Sequence, residues 1–128
     1  MSAPVTGGCL CGAVRFEAEL ENRELGVCFC TQCLRQNSGP LVCAAGPALR
    51  VAWTKGNPSV WRSSDTATRG FCRDCGSTLY WQRDGKAPEL SHGSFDERGG
   101  FTVTRIVHEN TRPDAYRLVS ATNEAPND

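Results

Sequence analysis

The sequence predicts one mainly β domain built from short strands. Three observations lead there. The chain has 128 residues, which fits one domain and leaves little room for a second. It carries thirteen Gly, seven Pro and a single Met, a composition rich in turns and poor in long helices. Its clearest apolar run alternates: Val14, Phe16, Ala18 and Leu20 share one face and Arg15, Glu17 and Glu19 the other, the pattern of a half-buried strand. Residues 1–118 read as this single domain and 119–128 as a polar C-terminal tail.

The remaining elements follow in order. Gly7-Gly8 leads into the first cysteine pair, and residues 13–20 form the alternating strand. Residues 25–30 read as a second strand. Residues 31–37 read as a short helix ended by Ser38-Gly39-Pro40. Strands over 41–45 and 49–53 are separated by Gly46-Pro47, and 55–58 is a turn. Strands are expected over 60–63, 67–71, 78–82, 90–95 and 101–108, with turn chemistry at 83–86 and 96–100.

Charge and composition exclude several functions. Fourteen basic residues balance fourteen acidic ones, which argues against electrostatic attraction to nucleic acid or an anionic membrane. No run approaches the ~20 apolar residues of a membrane span. The opening Met-Ser-Ala-Pro-Val-Thr lacks the basic and apolar regions of a secretory leader, so a cytoplasmic, reducing setting is expected.

Eight cysteines in so modest a core imply that something besides apolar burial holds the fold. Seven fall in three bunches: Cys9-Leu-Cys11, Cys28-Phe-Cys30-Thr-Gln-Cys33 and Cys72-Arg-Asp-Cys75. Disulfides persist poorly in a reducing compartment, and cysteines two or three apart cannot close the long loops that disulfides stabilise most. Metal ligands do come bunched, because one turn aims two thiolates at one ion. Gly12 follows Cys11 and Gly76 follows Cys75, supplying the positive φ a tight knuckle needs. Cys-x-x-Cys-Gly is the spacing of a zinc-ribbon half-site. Cys9, Cys11, Cys72 and Cys75 would thus close a four-thiolate structural zinc site that clamps distant segments.

The middle bunch, Cys28, Cys30 and Cys33, offers three sulfurs and no adjacent fourth. It reads either as an open, catalytic zinc site or as a second structural site closed by Cys43, His92 or His108. Cys43 lies in an apolar run and reads better as a buried free thiol. An open zinc can bind a substrate thiol and lower its pKa.

The segments Gly-Gly-Cys-Leu-Cys-Gly-Ala-Val-Arg-Phe, Cys-Phe-Cys-Thr-Gln-Cys, Trp-Thr-Lys-Gly-Asn-Pro and Thr-Arg-Gly-Phe-Cys-Arg-Asp-Cys-Gly-Ser resemble the glutathione-dependent formaldehyde-activating enzyme family, which includes centromere protein V. The likeness covers about residues 7–95, and more loosely extends to about 117. It implies a β-tent fold of two packed antiparallel sheets with zinc-ribbon-like knuckles. It also implies two zinc ions: a structural one on Cys9, Cys11, Cys72 and Cys75, and a functional one on Cys28, Cys30 and Cys33; with three ligands rather than four, the second is expected to be the more labile. The implied reaction is a carbon–sulfur lyase step, joining glutathione and formaldehyde or a related thiol–aldehyde pair. Two positions depart from the family pattern: Phe29 stands where the family usually has His, and Asn110 where an aromatic follows the matching His108.

Other side chains are candidates for substrate contact. Arg35, Arg62, Arg69 and Arg73 could pair with ligand carboxylates, or simply be solvated. Trp53, Trp61 and Trp81 are core or sheet-edge residues, one of which could line a pocket. His92 is a possible proton shuttle or a structural histidine. Three function classes remain: a zinc-dependent enzyme acting on a thiol–aldehyde adduct, a non-catalytic zinc-stabilised module binding a small thiol or a protein, and a nucleic-acid-associated zinc domain. The neutral charge opposes the third.

Overall fold

The computed structural model describes residues 2–119. Along the chain run β1 (Ala3–Gly8), β2 (Arg15–Leu20), β3 (Glu24–Cys28), α1 (Thr31–Asn37), β4 (Leu41–Ala44), β5 (Arg50–Lys55), β6 (Ser59–Arg62), β7 (Ala67–Phe71), β8 (Thr78–Arg83), β9 (Glu89–Leu90) and β10 (Thr102–Val107). Single 3₁₀ turns cover His92–Ser94 and Glu109–Thr111. The mainly β class is as expected. The strands hydrogen-bond as three sheets, β1-β2-β5, β10-β3-β4 and β6-β7-β8-β9, where two were expected. Single bridges at Gly7–Phe95 and Cys43–Ser91 stitch them together. One pairing, β10 with β3, is parallel.

The core lies under β2. Phe16, Ala18 and Leu20 are buried there, as the alternation requires. Phe16 meets Trp53 edge-on at 5.5 Å and Phe95 at 6.4 Å. Burying such a side chain contributes roughly 1.5–3 kcal/mol. The β6-β7-β8-β9 sheet closes this core with one face. Gly70, Tyr80 and Leu90 lie in one cross-strand row, and Tyr80 and Leu90 are buried in the main core. A Cβ at Gly70 would come within 2.1 Å of the Tyr80 ring, so only glycine lets β7 and the ring approach. The adjacent row, Arg69, Trp81 and Glu89, points the other way because side chains alternate along each strand. That second face builds the site.

Three local expectations are corrected. Gly7-Gly8, read only as a lead-in, ends a full strand over Ala3–Gly8 paired with β2. The strand expected over 90–95 shrinks to Glu89–Leu90, because Ser91-His-Gly-Ser folds into a turn in which Phe95 N–H donates to His92 O. Residues 29–30 leave β3, since Cys30 caps α1. Of the tail read at 119–128, all but Val119 lies outside the described residues. Among the described residues no helix is long and apolar enough to cross a membrane.

One ion pair ties the turn after residue 95 back to the sheet. Asp96 accepts from Arg15 Nη2 at 2.5 Å and from Thr6 Oγ1 at 2.6 Å. The Arg15 guanidinium, then the Thr6 hydroxyl, hold the Asp96 carboxyl down to about 2. A depressed carboxylate stabilises the fold above its unfolded pKa of about 4, and that contribution is lost as pH falls toward 2. Both side chains are over a third exposed, so screening keeps it below about 1 kcal/mol. Asp96→Asn is expected to remove this increment at neutral pH. Urea unfolding of the variant should then lose less stability than the parent between about pH 4 and pH 2.

Candidate functional site

The first and third cysteine bunches meet. The Sγ atoms of Cys9, Cys11, Cys72 and Cys75 all lie within 4.8 Å of one another. Two similar turns bring them there. Gly12 N–H donates to Cys9 O and Gly76 N–H to Cys72 O, and both glycines sit at φ 81°. Leu10 N–H donates to Ser77 Oγ at 2.9 Å, locking one knuckle to the other. A tetrahedral zinc with Zn–S bonds of about 2.3 Å needs sulfurs about 3.8 Å apart. Cys9 and Cys11 are separated by 3.7 Å, and Cys11 and Cys72 by 3.8 Å. The donor set therefore fits zinc. Hydrogen bonds from Ser77, first through its hydroxyl and then its amide, hold the Cys75 thiol down to about 5, in the thiolate form a metal needs.

The middle bunch forms a second cluster. The Sγ atoms of Cys28, Cys30 and Cys33 also lie within 4.8 Å of one another, and neither Cys43, His92 nor His108 belongs to either group. Cys28 ends β3. Cys30 caps α1 by accepting the Cys33 N–H at 3.3 Å, and Cys33 sits in the first turn of that helix. The hydrogen bond between Cys33 and Cys28 draws Cys28 below the ordinary thiol value and, with burial, pushes Cys33 up.

Arg69 completes this cluster. It is 3 % exposed, and both Nη atoms lie 3.5 Å from Cys33 Sγ. Nη1 also donates to Gln36 Oε1 at 2.8 Å and Nη2 to Gln32 Oε1 at 3.4 Å, while Nε has no partner among the described residues. A buried guanidinium is costly unless an anion faces it. Here Cys33 supplies the anion once a metal holds the cluster as thiolates.

The three sulfurs open onto a cavity of about 690 Å³, within the range of small-molecule sites. Sheet register builds its walls. Gly26 and Cys28 of β3 pair with Cys43 and Leu41 of β4, and with Arg105 and Val107 of β10. The row Arg69, Trp81 and Glu89, with Arg83 beside it, forms the facing wall. His108, at φ 58°, stands exposed where β10 ends. No member of the four-cysteine set lines this cavity.

The sequence model described as glutathione-dependent formaldehyde-activating enzyme matches residues 4–114, a span holding both cysteine clusters and the whole cavity wall. The chain belongs to this family. A Schizosaccharomyces pombe protein described as an uncharacterized lyase is 30 % identical over 122 residues, covering 91 % of this chain and 87 % of its own length.

The other sequence candidates of this formaldehyde-activating-enzyme family member sort by position. Of the arginines singled out, only Arg69 reaches the cavity. Arg62 pairs with Asp84 at 3.0 Å, and Arg35 and Arg73 are exposed. Of the tryptophans, Trp81 lines the cavity, Trp53 packs on the core and Trp61 is 62 % exposed. His92 is structural: its ring packs on Phe95 and Phe101, and Nε2 pairs with Arg98 O at 2.9 Å. Cys43 is a buried free thiol, as expected, though it also touches the cavity; burial pushes its thiol up. Phe29 is 1 % exposed and packs beside Tyr116, so it serves the core rather than the site. Sequence reasoning passed over Arg83, Glu89 and Arg105. Their signal was the strand alternation that places 81 and 83 with 67 and 69.

Proposed function

We propose that the Cys28, Cys30 and Cys33 cavity catalyses the reversible addition of a small thiol, glutathione or a relative, to an aldehyde such as formaldehyde. The observation that carries this reading is a three-sulfur cluster, with room for one more ligand, on the wall of a ligand-sized cavity. The family's printed description and the lyase description of the yeast relative support it. The second cluster, Cys9, Cys11, Cys72 and Cys75, is the fold's structural zinc site in this reading.

In the forward step the substrate sulfur attacks the carbonyl carbon. A C–S bond forms, the carbonyl π pair moves to oxygen, and the oxygen takes a proton; lyase cleavage is the reverse. Zinc held by the three thiolates would supply the Lewis acidity that keeps the substrate sulfur ionised or polarises the carbonyl. The chain does the rest. Arg69 offsets the negative charge that gathers as thiolates approach Cys33. Trp81 and Val107 give the reacting atoms an apolar wall, and confinement supplies proximity. His108, an exposed imidazole on the wall, exchanges the proton with solvent. Because the addition is facile without help, the catalytic contribution need be only a few kcal/mol.

The test joins metal content with exchange kinetics. Protein purified without chelator should carry two zinc ions, one for each cluster. It should also speed glutathione–formaldehyde exchange, read by NMR magnetisation transfer, by about ten- to a hundredfold. A single zinc with unaccelerated exchange overturns the enzyme reading. Thiol binding without acceleration would leave a thiol-binding module.

A further inference from the structure

Two of the three sulfurs in the second cluster ride on α1, and α1 is too short to hold itself. Seven residues make about two turns, which are not stable in water without tertiary support. Cys30 caps the start and Cys33 sits in the first turn. Arg69 grips that turn through Cys33 and Gln32, and reaches Gln36 beyond it. The far end is gripped by Asn37, the last helical residue. Its Nδ2 donates to Cys33 O at 2.9 Å, one turn back, and its Oδ1 accepts from Thr78 Oγ1 of β8 at 2.7 Å. The amide fits only this way round, because the reverse would set its oxygen against the Cys33 carbonyl. One side chain therefore joins the backbone of Cys33 to the sheet.

An irregularity in β8 aims Thr78 at the helix. Gly70 pairs with Tyr80, yet Phe71 pairs with Thr78, so Leu79 has no partner on β7. Paired residues share a face, and Phe71 alternates with Gly70, whose row faces the core. Thr78 thereby turns to the face of Arg69 and Trp81, where α1 lies. Unbroken alternation from Trp81 would have placed Leu79 there; instead Leu79 is 0 % exposed in the main core. The end of β8 is itself fixed. Ser77 Oγ accepts from Leu10 N–H at 2.9 Å and lies 3.2 Å from Cys75 Sγ, and Thr78 O accepts from Ser91 Oγ at 2.8 Å. Thr78 thus reaches α1 from a point set by the four-cysteine knuckle.

We propose that Thr78 and Asn37 are positioning residues for the Cys28, Cys30 and Cys33 cluster: a clamp that ties α1 to the four-cysteine knuckle and sets how tightly the second cluster holds its metal. This rests on reading that cluster as a metal site. Neither residue lines the cavity, so both act through the Cys33 backbone. With the clamp in place, Cys33 is ordered before an ion arrives. Without it, the ion must order the helix end on binding, and that ordering is subtracted from its affinity.

Zinc affinity, measured on the full chain by competition with a chromophoric chelator, reads the clamp directly. The second site is assigned by its loss in Cys28→Ser. Thr78→Val keeps the shape of the side chain and removes the hydroxyl. Thr78 is half-buried on a strand, where valine is well accepted, so this variant should fold. It should bind zinc about tenfold more weakly at the second site and unchanged at the four-cysteine site. Asn37→Leu should weaken the second site at least as much, and the double variant should be no weaker than Asn37→Leu, because both changes break one link. Thr78→Ser restores the hydroxyl and should bind as the parent does. Thr104→Val, which removes a hydroxyl bonded to Glu24 instead, should change neither site. A merely structural role would lower the melting temperature of Thr78→Val and leave its second-site affinity at the parent value. That result, or a Thr78→Ser as weak as Thr78→Val, overturns the clamp and leaves the metal reading of the cluster standing. A parent whose zinc content does not fall in Cys28→Ser overturns both.

Discussion

Replacing Cys72 with serine is expected to abolish cooperative folding. Cys72 is 1 % exposed in the main core, and its sulfur lies 3.8 Å from that of Cys11, 61 residues earlier. The knuckles join the end of β1 to the end of β7, elements of two different sheets. Outside its own sheet the end of β1 is otherwise held by the Gly7–Phe95 bridge and by the Thr6–Asp96 and Leu10–Ser77 hydrogen bonds. Aromatics make up just 8 % of the chain, so apolar burial has little reserve. Where a metal site forms only in the folded state, its binding free energy is folding free energy. Loss of one of four thiolates should therefore cost on the order of 5 kcal/mol or more. Thermal melts followed by circular dichroism should show a broad, early transition, and a strong chelator should reproduce it in the parent protein. A sharp, unshifted melt for Cys72→Ser, or in chelator, would show that the four sulfurs carry no structural ion.

What the sequence disclosed follows the range of the forces involved. The helix at residues 31–37 was legible residue for residue, because the Ser38-Gly39-Pro40 stop is local; its cap at Cys30 was read as strand. Strand β2 was legible from its alternation, which one buried face imposes. β1 was not. Its Pro4, Gly7 and Gly8 have poor strand preference, and pairing with β2 overrides that preference. The parallel pairing of β10 with β3 joins residues nearly eighty positions apart, and nothing local encodes it.

The site divides in the same way. Cysteine spacing alone grouped Cys9, Cys11, Cys72 and Cys75, and also Cys28, Cys30 and Cys33, as the structure does. With only one or two residues between neighbouring cysteines, the local turn nearly determines where each sulfur points. Arginines give no such signal. Arg62, Arg69 and Arg83 look alike in sequence; one pairs with a surface aspartate, one is buried against a thiol, and one edges the cavity. The distinction is set by which face of β7 and β8 meets α1, a property of the assembled sheets.

The three middle cysteines are expected to share one activity and to differ in stability. Cys28→Ser should return thiol–aldehyde exchange to its uncatalysed rate and remove one zinc per chain, and its unfolding free energy should differ by less than about 1 kcal/mol from that of the parent stripped of the same zinc. Cys28 is half-buried at a strand end and holds no helix. Cys30→Ser should lose the same activity and fold as well or better, since serine is a preferred helix cap and Cys30 already caps α1. Cys33→Ser is different. It removes the sulfur facing Arg69, a thiolate when a metal holds the cluster; Arg69 is 3 % exposed and its Nε has no partner among the described residues. An uncompensated buried charge costs roughly 1–3 kcal/mol beyond the lost contact, and more if no water enters. Adding Arg69→Met to Cys33→Ser should recover most of that stability and none of the activity, because a linear apolar chain fills the space without a charge. A double-mutant cycle on urea-unfolding free energies measures this coupling directly. Strictly additive effects would mean that Cys33 does not hold the Arg69 charge, and that the guanidinium is satisfied by Gln32 and Gln36 alone.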